Sequence, residues 1–387
     1  MPSKHAMLGP SGAHRWMLCT PSAKWESELP DSTSEYAEEG TVAHSLCEAK
    51  LRYLLNKDHA AYIAAVEPIT ESKWYSAAME SYTDQYAQAV QAFLDEALLA
   101  GDDPHLYIEV QLNLEKWIPG GFGTSDAVIL TSDAIHVIDF KYGKGVVVSA
   151  ANNPQMRCYA LGAYDEFEAI EDFSKVRMTI IQPRVDNIST EEISVSELLT
   201  WGADKLRPAA AKAYRGEGFF EPSDEACRFC RAKYLCAYNA ERHLQNYTLN
   251  KQKGEPAELT PADTANILNF VDDMVKWANG LKEYAETQAV SGAVEYPGYK
   301  VVAGRSNRKI DDTAKATEKL LAASCKANEI FDLKGLTALE KTVGKKKLAE
   351  ILGDLIVKPQ GKPTLVKNSD KRAAISVKPD VNDYFKD

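Results

Sequence analysis

Two short apolar runs, Ala127–Leu130 and Ala134–Ile138, flank Thr131-Ser132-Asp133, and this stretch constrains the fold more than any other. Their length and spacing predict a β-hairpin. If Ser132 and Asp133 form the turn, Thr131 faces Ala134, and counting outward sets Asp126 opposite Asp139 with both side chains on one face. Strand alternation then puts Lys141 beside Asp139 and turns Phe140 into a core. The hairpin gathers two acids and one base.

Like charges this close repel, so such a cluster is costly unless a cation lies between them. A divalent metal answers the cost. All-oxygen ligation suits Mg2+ or Mn2+, which can hold a phosphodiester and lower the pKa of water, with Lys141 orienting that water or neutralising developing charge. The competing reading is a surface hairpin with solvated Asp–Lys pairs, and an isolated D-x-K does not decide between them. The neighbouring residues add to the first reading. Gly143 and Gly145 end the strand, Pro154 suits the first turn of a helix, and Gln155 and Tyr159 share one face of it.

Gly123-Thr124-Ser125-Asp126, Asp139-Phe140-Lys141 and Gln155-Met156-Arg157-Cys158-Tyr159 resemble, in order, the G-x-x-D, D-x-K and Q-x-x-x-Y motifs of the RecB-like branch of the PD-(D/E)XK nuclease superfamily. The first motif has Gly-Thr-Ser-Asp where other branches have Pro-Asp. The resemblance spans about residues 10 to 240, and the wording DFKYGKGVVVSAANNPQMRCYALGAY is similar to that of an uncharacterised group of phage and prophage proteins. It implies an α/β fold with a PD-(D/E)XK restriction-endonuclease-like core, a mixed sheet flanked by helices, here followed by a helical C-terminal extension. It also implies a metal-dependent DNA exonuclease.

A helix is expected over Glu35 to Leu55, with Val42, Leu46, Leu51, Leu54 and Leu55 as its apolar stripe. A lone His there is more often a capping, core or surface residue. By resemblance, Gly40 to His44 matches the histidine motif of these nucleases and makes His44 a metal ligand with Asp126, Asp139 and the Phe140 carbonyl. Lys141 would assist the attacking water, and Gln155 and Tyr159 would position the DNA backbone. The run His105 to Leu114 alternates as a strand with Glu109 at its centre. Relatives often carry a glutamate before G-x-x-D, so Glu109 is a secondary candidate beside the reading of a solvated strand face. The tyrosines within residues 72 to 100 suit helix packing better than base stacking.

The seven cysteines make an odd count in a chain whose start is polar and lacks a signal peptide, which argues against a disulfide framework. Cys227, Cys230 and Cys236 are spaced C-x2-C-x5-C, close enough for one loop to supply three thiolates, and soft sulfur selects zinc or an iron-sulfur cluster. Cys19 can provide the fourth. This layout resembles the iron-staple nucleases, namely the AddB nuclease domain and the CRISPR-associated exonucleases. It implies a structural [4Fe-4S] cluster on Cys19, Cys227, Cys230 and Cys236, with zinc as the alternative. Cys47, Cys158 and Cys325 fit ordinary buried thiols.

The 387 residues are divided on sequence into a nuclease domain over 1–245, a linker and long helix over 246–295, and a small basic region with a tail over 296–387. The linker occupies 246 to 260, and a helix starts at a Thr260 cap and runs to about Val290. A basic hairpin is expected over Tyr299 to Ile310, then short helices through Leu355. Lys345, Lys346, Lys347, Lys358, Lys362, Lys367, Lys371 and Arg372 suit either phosphate contacts or a solvated face and tail. A net charge of -11 neither announces nor excludes a nucleic-acid binder, since a cleft can be locally basic. No apolar run approaches the ~18 residues of a membrane helix, so a cytoplasmic protein is expected, in the host bacterium if phage-encoded. Expected partners are DNA and phage recombination or replication proteins. A second function of a different class is a DNA-binding or scaffold module of a recombination complex with little or no cleavage.

Overall fold

The computed structural model describes residues 6–29, 35–245, 260–302 and 335–352, with positions 319, 322, 355 and 356. The chain separates into a unit over Met1–Val301 and a second over Val302–Asp387. The first is built on a five-stranded mixed sheet flanked by helices, in the order β1-β2-β3-β4-β5: His105–Asn113, Phe122–Leu130, Ala134–Phe140, Lys175–Gln182 and Asn187–Ser194. Neighbours are antiparallel except β3 and β4, which run parallel. A parallel pair needs a crossover, and α6 (Pro154–Phe167) supplies it.

The hairpin has the register read from its apolar runs: Leu130 pairs with Ile135, Ala127 with Ile138, and the Thr131 amide donates to the Ala134 carbonyl at 3.0 Å. Alternation distributes the strands between two cores. Val128, Leu130, Ile135 and Val137 pack with α6 and with the N-terminal helices α1 (Ala13–Leu18) and α2 (Pro21–Ser27). Ala127, Ile129, Ile138 and Phe140 pack with α3 (Glu35–Asn56) and α5 (Ala77–Leu99). Phe140 is fully buried. Between those helices lies α4 (His59–Thr70), which the sequence did not announce and which has no fully buried residue.

Helices α3 and α5 are locked by a buried lysine. Lys50 Nζ lies 2.9 Å from the Glu80 carboxylate, 2.5 Å from that of Asp84 and 2.8 Å from the Thr83 hydroxyl. Of the apolar stripe expected on α3, Leu46 and Leu51 are buried while Leu55 is half exposed. The tyrosines of α5 pack, with Tyr86 fully buried against Phe140.

Beyond β5 follow α7 (Val195–Trp201), a π-helical turn over Gly202–Leu206 and α8 (Arg207–Arg215). Next come α9 (Asp224–Cys227) and α10 (Ala237–Gln245). The Thr260 capping box opens α11 (Pro261–Leu268), and α12 (Val271–Val290) continues after a break at Asn269 and Phe270. The single long helix expected from Thr260 is therefore two. In the second unit, α13 (Leu336–Val343) and α14 (Lys345–Leu352) are short, with Leu348 buried. The linker over 246–259, most of the expected basic hairpin, Cys325 and the tail lysines from Lys358 onward lie outside the described residues. No helix among the described residues is long and apolar enough to cross a membrane.

Candidate active site and cysteine cavity

The edge of the hairpin draws its polar residues from four segments. His44 on α3 places Nδ1 3.0 Å from Oδ1 of Asp126 on β2. The other oxygen of Asp126 accepts the Phe140 peptide N–H at 2.7 Å, which ties β2 to β3 where their ladder stops. Asp139 on β3 accepts Gln155 Nε2 of α6 on Oδ1 at 3.1 Å and has Lys141 Nζ 3.1 Å from Oδ2. Lys141 also donates to Gln155 Oε1 at 3.0 Å, and Gln155 reaches the Tyr159 hydroxyl at 3.4 Å.

Local chemistry explains these positions. Asn153 caps α6 by accepting the Gln155 and Met156 amides, and Pro154 occupies the first helical position, so Gln155 enters the site from a fixed turn. Gly123 opens the G-x-x-D stretch because a Cβ there would stand 2.8 Å from Pro10 and 3.0 Å from the Tyr159 ring. Any side chain would push Tyr159 away.

Glu109 is the residue whose importance the sequence understated. It stands between Ile108, paired with Ala127, and Val110, paired with Ser125, directly across from Asp126. Its φ of 52° is left-handed, a conformation costing a non-glycine residue on the order of 1 kcal/mol. The register is the same on both sides, so no residue is inserted; the strand instead changes faces. Leu106 and Ile108 pack in the core of α3 and α5, whereas Val110 and Leu112 pack in the core of α6. The result is a close group: Glu109, His44 and Asp126 each offer a ligand atom within 4.8 Å of the others. Among the described residues this is the only such group of three; Asp139 lies outside it, held by Gln155 and Lys141.

The electrostatics divide the acids. Burial pushes the Asp126 carboxyl up, but His44, the Phe140 amide and Lys141 outweigh it and hold Asp126 below the usual carboxylate range. His44 is raised in turn: burial opposes its charge, and Asp126 and Asp139 prevail. Asp139 is raised by burial and by Asp126, against the pull of Lys141. Glu109 is pushed up to about 7 by burial, with Asp126 and Glu48 adding to the effect. Buried Oδ2 of Asp139 has no hydrogen bond. Three carboxylates and an imidazole gathered here against the one lysine fit a divalent cation.

A folded-state pKa above the unfolded value means that the folded chain keeps its proton longer, so Glu109 lowers the stability of metal-free protein as pH rises from about 4.5 to about 7. Glu109→Gln should therefore raise the metal-free melting temperature at pH 8 by about 2–4 °C and leave it unchanged at pH 4.5, read by calorimetry. An equal shift at both pH values would contradict that assignment.

Away from this edge, Cys19, Cys227, Cys230 and Cys236 line one small cavity with Trp25, Phe220 and Pro222. The N-terminus is tied to this region by polar contacts. Buried Glu26 takes Arg15 Nε at 2.7 Å and the Arg231 amide at 2.6 Å, and Thr20 donates to the Glu217 carbonyl at 2.6 Å. Burial raises Cys19 and Cys227 and pushes Cys230 up to about 12, so these three are neutral thiols without a metal. Cys47 and Cys158 are buried, as expected. A separate cleft of about 540 Å3 between α3 and α5, lined by Tyr53, Lys57, His59 and Tyr62, holds none of the predicted site residues.

Fold and site together define a mixed α/β protein in which His44 of α3, Glu109 of β1 and Asp126 of β2 bring ligand atoms within 4.8 Å of one another. A family model described as "Protein of unknown function (DUF2800)" matches residues 5–373, and the chain belongs to that family. A solved structure titled "Crystal structure of SSO0001" is 17% identical over 58% of this chain and 95% of its own, with a TM-score of 0.24.

Proposed function

We propose that this protein is a Mg2+- or Mn2+-dependent DNA exonuclease with a PD-(D/E)XK core. The observation that carries the reading is the convergence of His44, Asp126, Asp139, Lys141, Gln155 and Tyr159 from α3, β2, β3, α6 and the chain leaving β3. His44 comes from a helix far from the others in sequence, and its Nδ1 still meets Asp126.

His44, Asp126 and Asp139 would hold the cation, with Glu109 and the Phe140 carbonyl as further donors. When bound, the cation supplies a Lewis acid that offsets phosphate charge and acidifies water. The chain's own residues do the rest. Lys141, held between Asp139 and Gln155, presents an ammonium to the charge that develops on the phosphate and can exchange a proton with the attacking water. Gln155 and Tyr159 offer an amide and a hydroxyl to the strand backbone.

End-labelled single- and double-stranded DNA incubated with Mn2+ or Mg2+ and anaerobically purified protein tests the reading. Loss of label from one end by the wild type establishes the activity and its polarity. DNA binding without cleavage would favour a scaffold role, with phage recombination or replication proteins as partners.

The four cysteines are assigned to a structural [4Fe-4S] cluster, a reading supported by the one cavity they line together. Anaerobic protein should be brown and carry iron, and Cys230→Ser should lose both the colour and the iron. Stoichiometric zinc in a colourless wild type would replace the cluster with a zinc staple.

A further inference from the structure

Between Lys141 and the start of α6 the chain runs through Tyr142-Gly143-Lys144-Gly145-Val146-Val147-Val148. A glycine-rich connection of this kind is ordinarily loose. Here it is fastened along its length. The side chain of Gln182, itself 1% exposed, donates to the carbonyls of Gly143 at 2.6 Å and Val146 at 2.7 Å and accepts the Val148 amide at 3.2 Å. Asn187 donates to the Val148 carbonyl at 2.9 Å, Ser189 accepts the Ala150 amide at 2.9 Å, and Glu191 accepts the Asn152 amide at 2.9 Å. The end of β4 and one face of β5 thus hold the connection from residue 143 to residue 152.

What the anchored loop displays is apolar. Val146 is 41% and Val147 65% exposed, with Lys144 exposed beside them. Two aliphatic side chains are thus held in water on a chain segment that joins Lys141 to the start of α6, where Gln155 lies. Base faces are apolar and aliphatic side chains pack against them once they are unstacked, while a lysine beside them suits phosphate.

We propose that loop 143–148 is a preformed end-contact element, in which Val146 and Val147 pack against the terminal base of a DNA strand and Lys144 meets its phosphate. The proposal rests on the nuclease reading. It is tested with metal omitted, on the full chain, using an oligonucleotide carrying 2-aminopurine at its terminal position or about eight nucleotides inward. Wild type should change the fluorescence of the terminal probe only. The V146S/V147S double variant, altered only at exposed positions, should abolish that change and weaken binding about tenfold. Gln182→Met, which frees the loop but keeps both valines, should lose the fluorescence change as well. Wild-type signal and affinity in V146S/V147S, alongside Mn2+-dependent cleavage by the wild type, would overturn the loop's role and leave the nuclease standing. Neither binding nor cleavage by the wild type would overturn both.

Discussion

Asp139→Asn should lower the proposed metal-dependent DNA cleavage by about a thousandfold or more and leave the protein folded. The carboxylate is buried, shares Asp126's negative charge at close range and keeps one oxygen without a hydrogen bond. An amide keeps an acceptor for Gln155 and Lys141 but removes the charge that a cation needs. The same change relieves repulsion with Asp126, so the metal-free variant should melt at or above the wild-type temperature. Adding Mn2+ should raise the melting temperature of the wild type and not that of the variant. Cleavage assays and thermal melts on one preparation separate loss of chemistry from loss of fold. Retained cleavage would remove Asp139 from the site.

The second large effect is on acid stability and is independent of any enzymatic role. His136, on β3, is buried against the Phe93 ring and lies 2.8 Å from the Thr179 hydroxyl. Burial, with Arg177 adding, brings its pKa down to about 3. The unfolded chain protonates this ring near 6.5 and the folded chain does not, so the unfolded state binds more protons between the two values. The stability is fully present above pH 6.5 and is lost as pH falls toward 3. At about 1.4 kcal/mol per unit, the wild type gives up about 3 kcal/mol between pH 6.5 and pH 4 through this residue. His136→Gln lacks that term, so its stability deficit at pH 7 should shrink by a similar amount at pH 4 in denaturant titrations. Parallel pH profiles for the two proteins would show that His136 is protonated in the folded state.

Much of this site was legible in the sequence because strand pairing is arithmetic. Two apolar runs and a short turn fixed the register, and the register carried Asp126, Asp139 and Lys141 with it. Gln155 and Tyr159 followed from helical spacing behind a proline. What stayed hidden depended on contacts beyond the local pattern. Strand β5 reads NISTEEIS, too polar to announce a strand, because Asn187, Ser189 and Glu191 bind the connection to α6 while Thr190 and Glu192 bind side chains of β4. Helix α4 packs Val66 and Ile69 on the core of α3 and α5 without burying either fully, a partial face that was passed over in the sequence. The break at Asn269 and Phe270 has no Pro or Gly to signal it. Glu109 looked like a residue on an ordinary alternating strand; only its left-handed backbone, which no side-chain pattern encodes, turns it toward Asp126.

His44 comes from the layer built on α3 and α5, while Gln155 and Tyr159 come from the layer built on α6, and the sheet between them carries both aspartates. Neither layer alone contains a complete set of groups. A change that loosens either layer against the sheet therefore separates the groups of the candidate site even where the sheet itself stays intact.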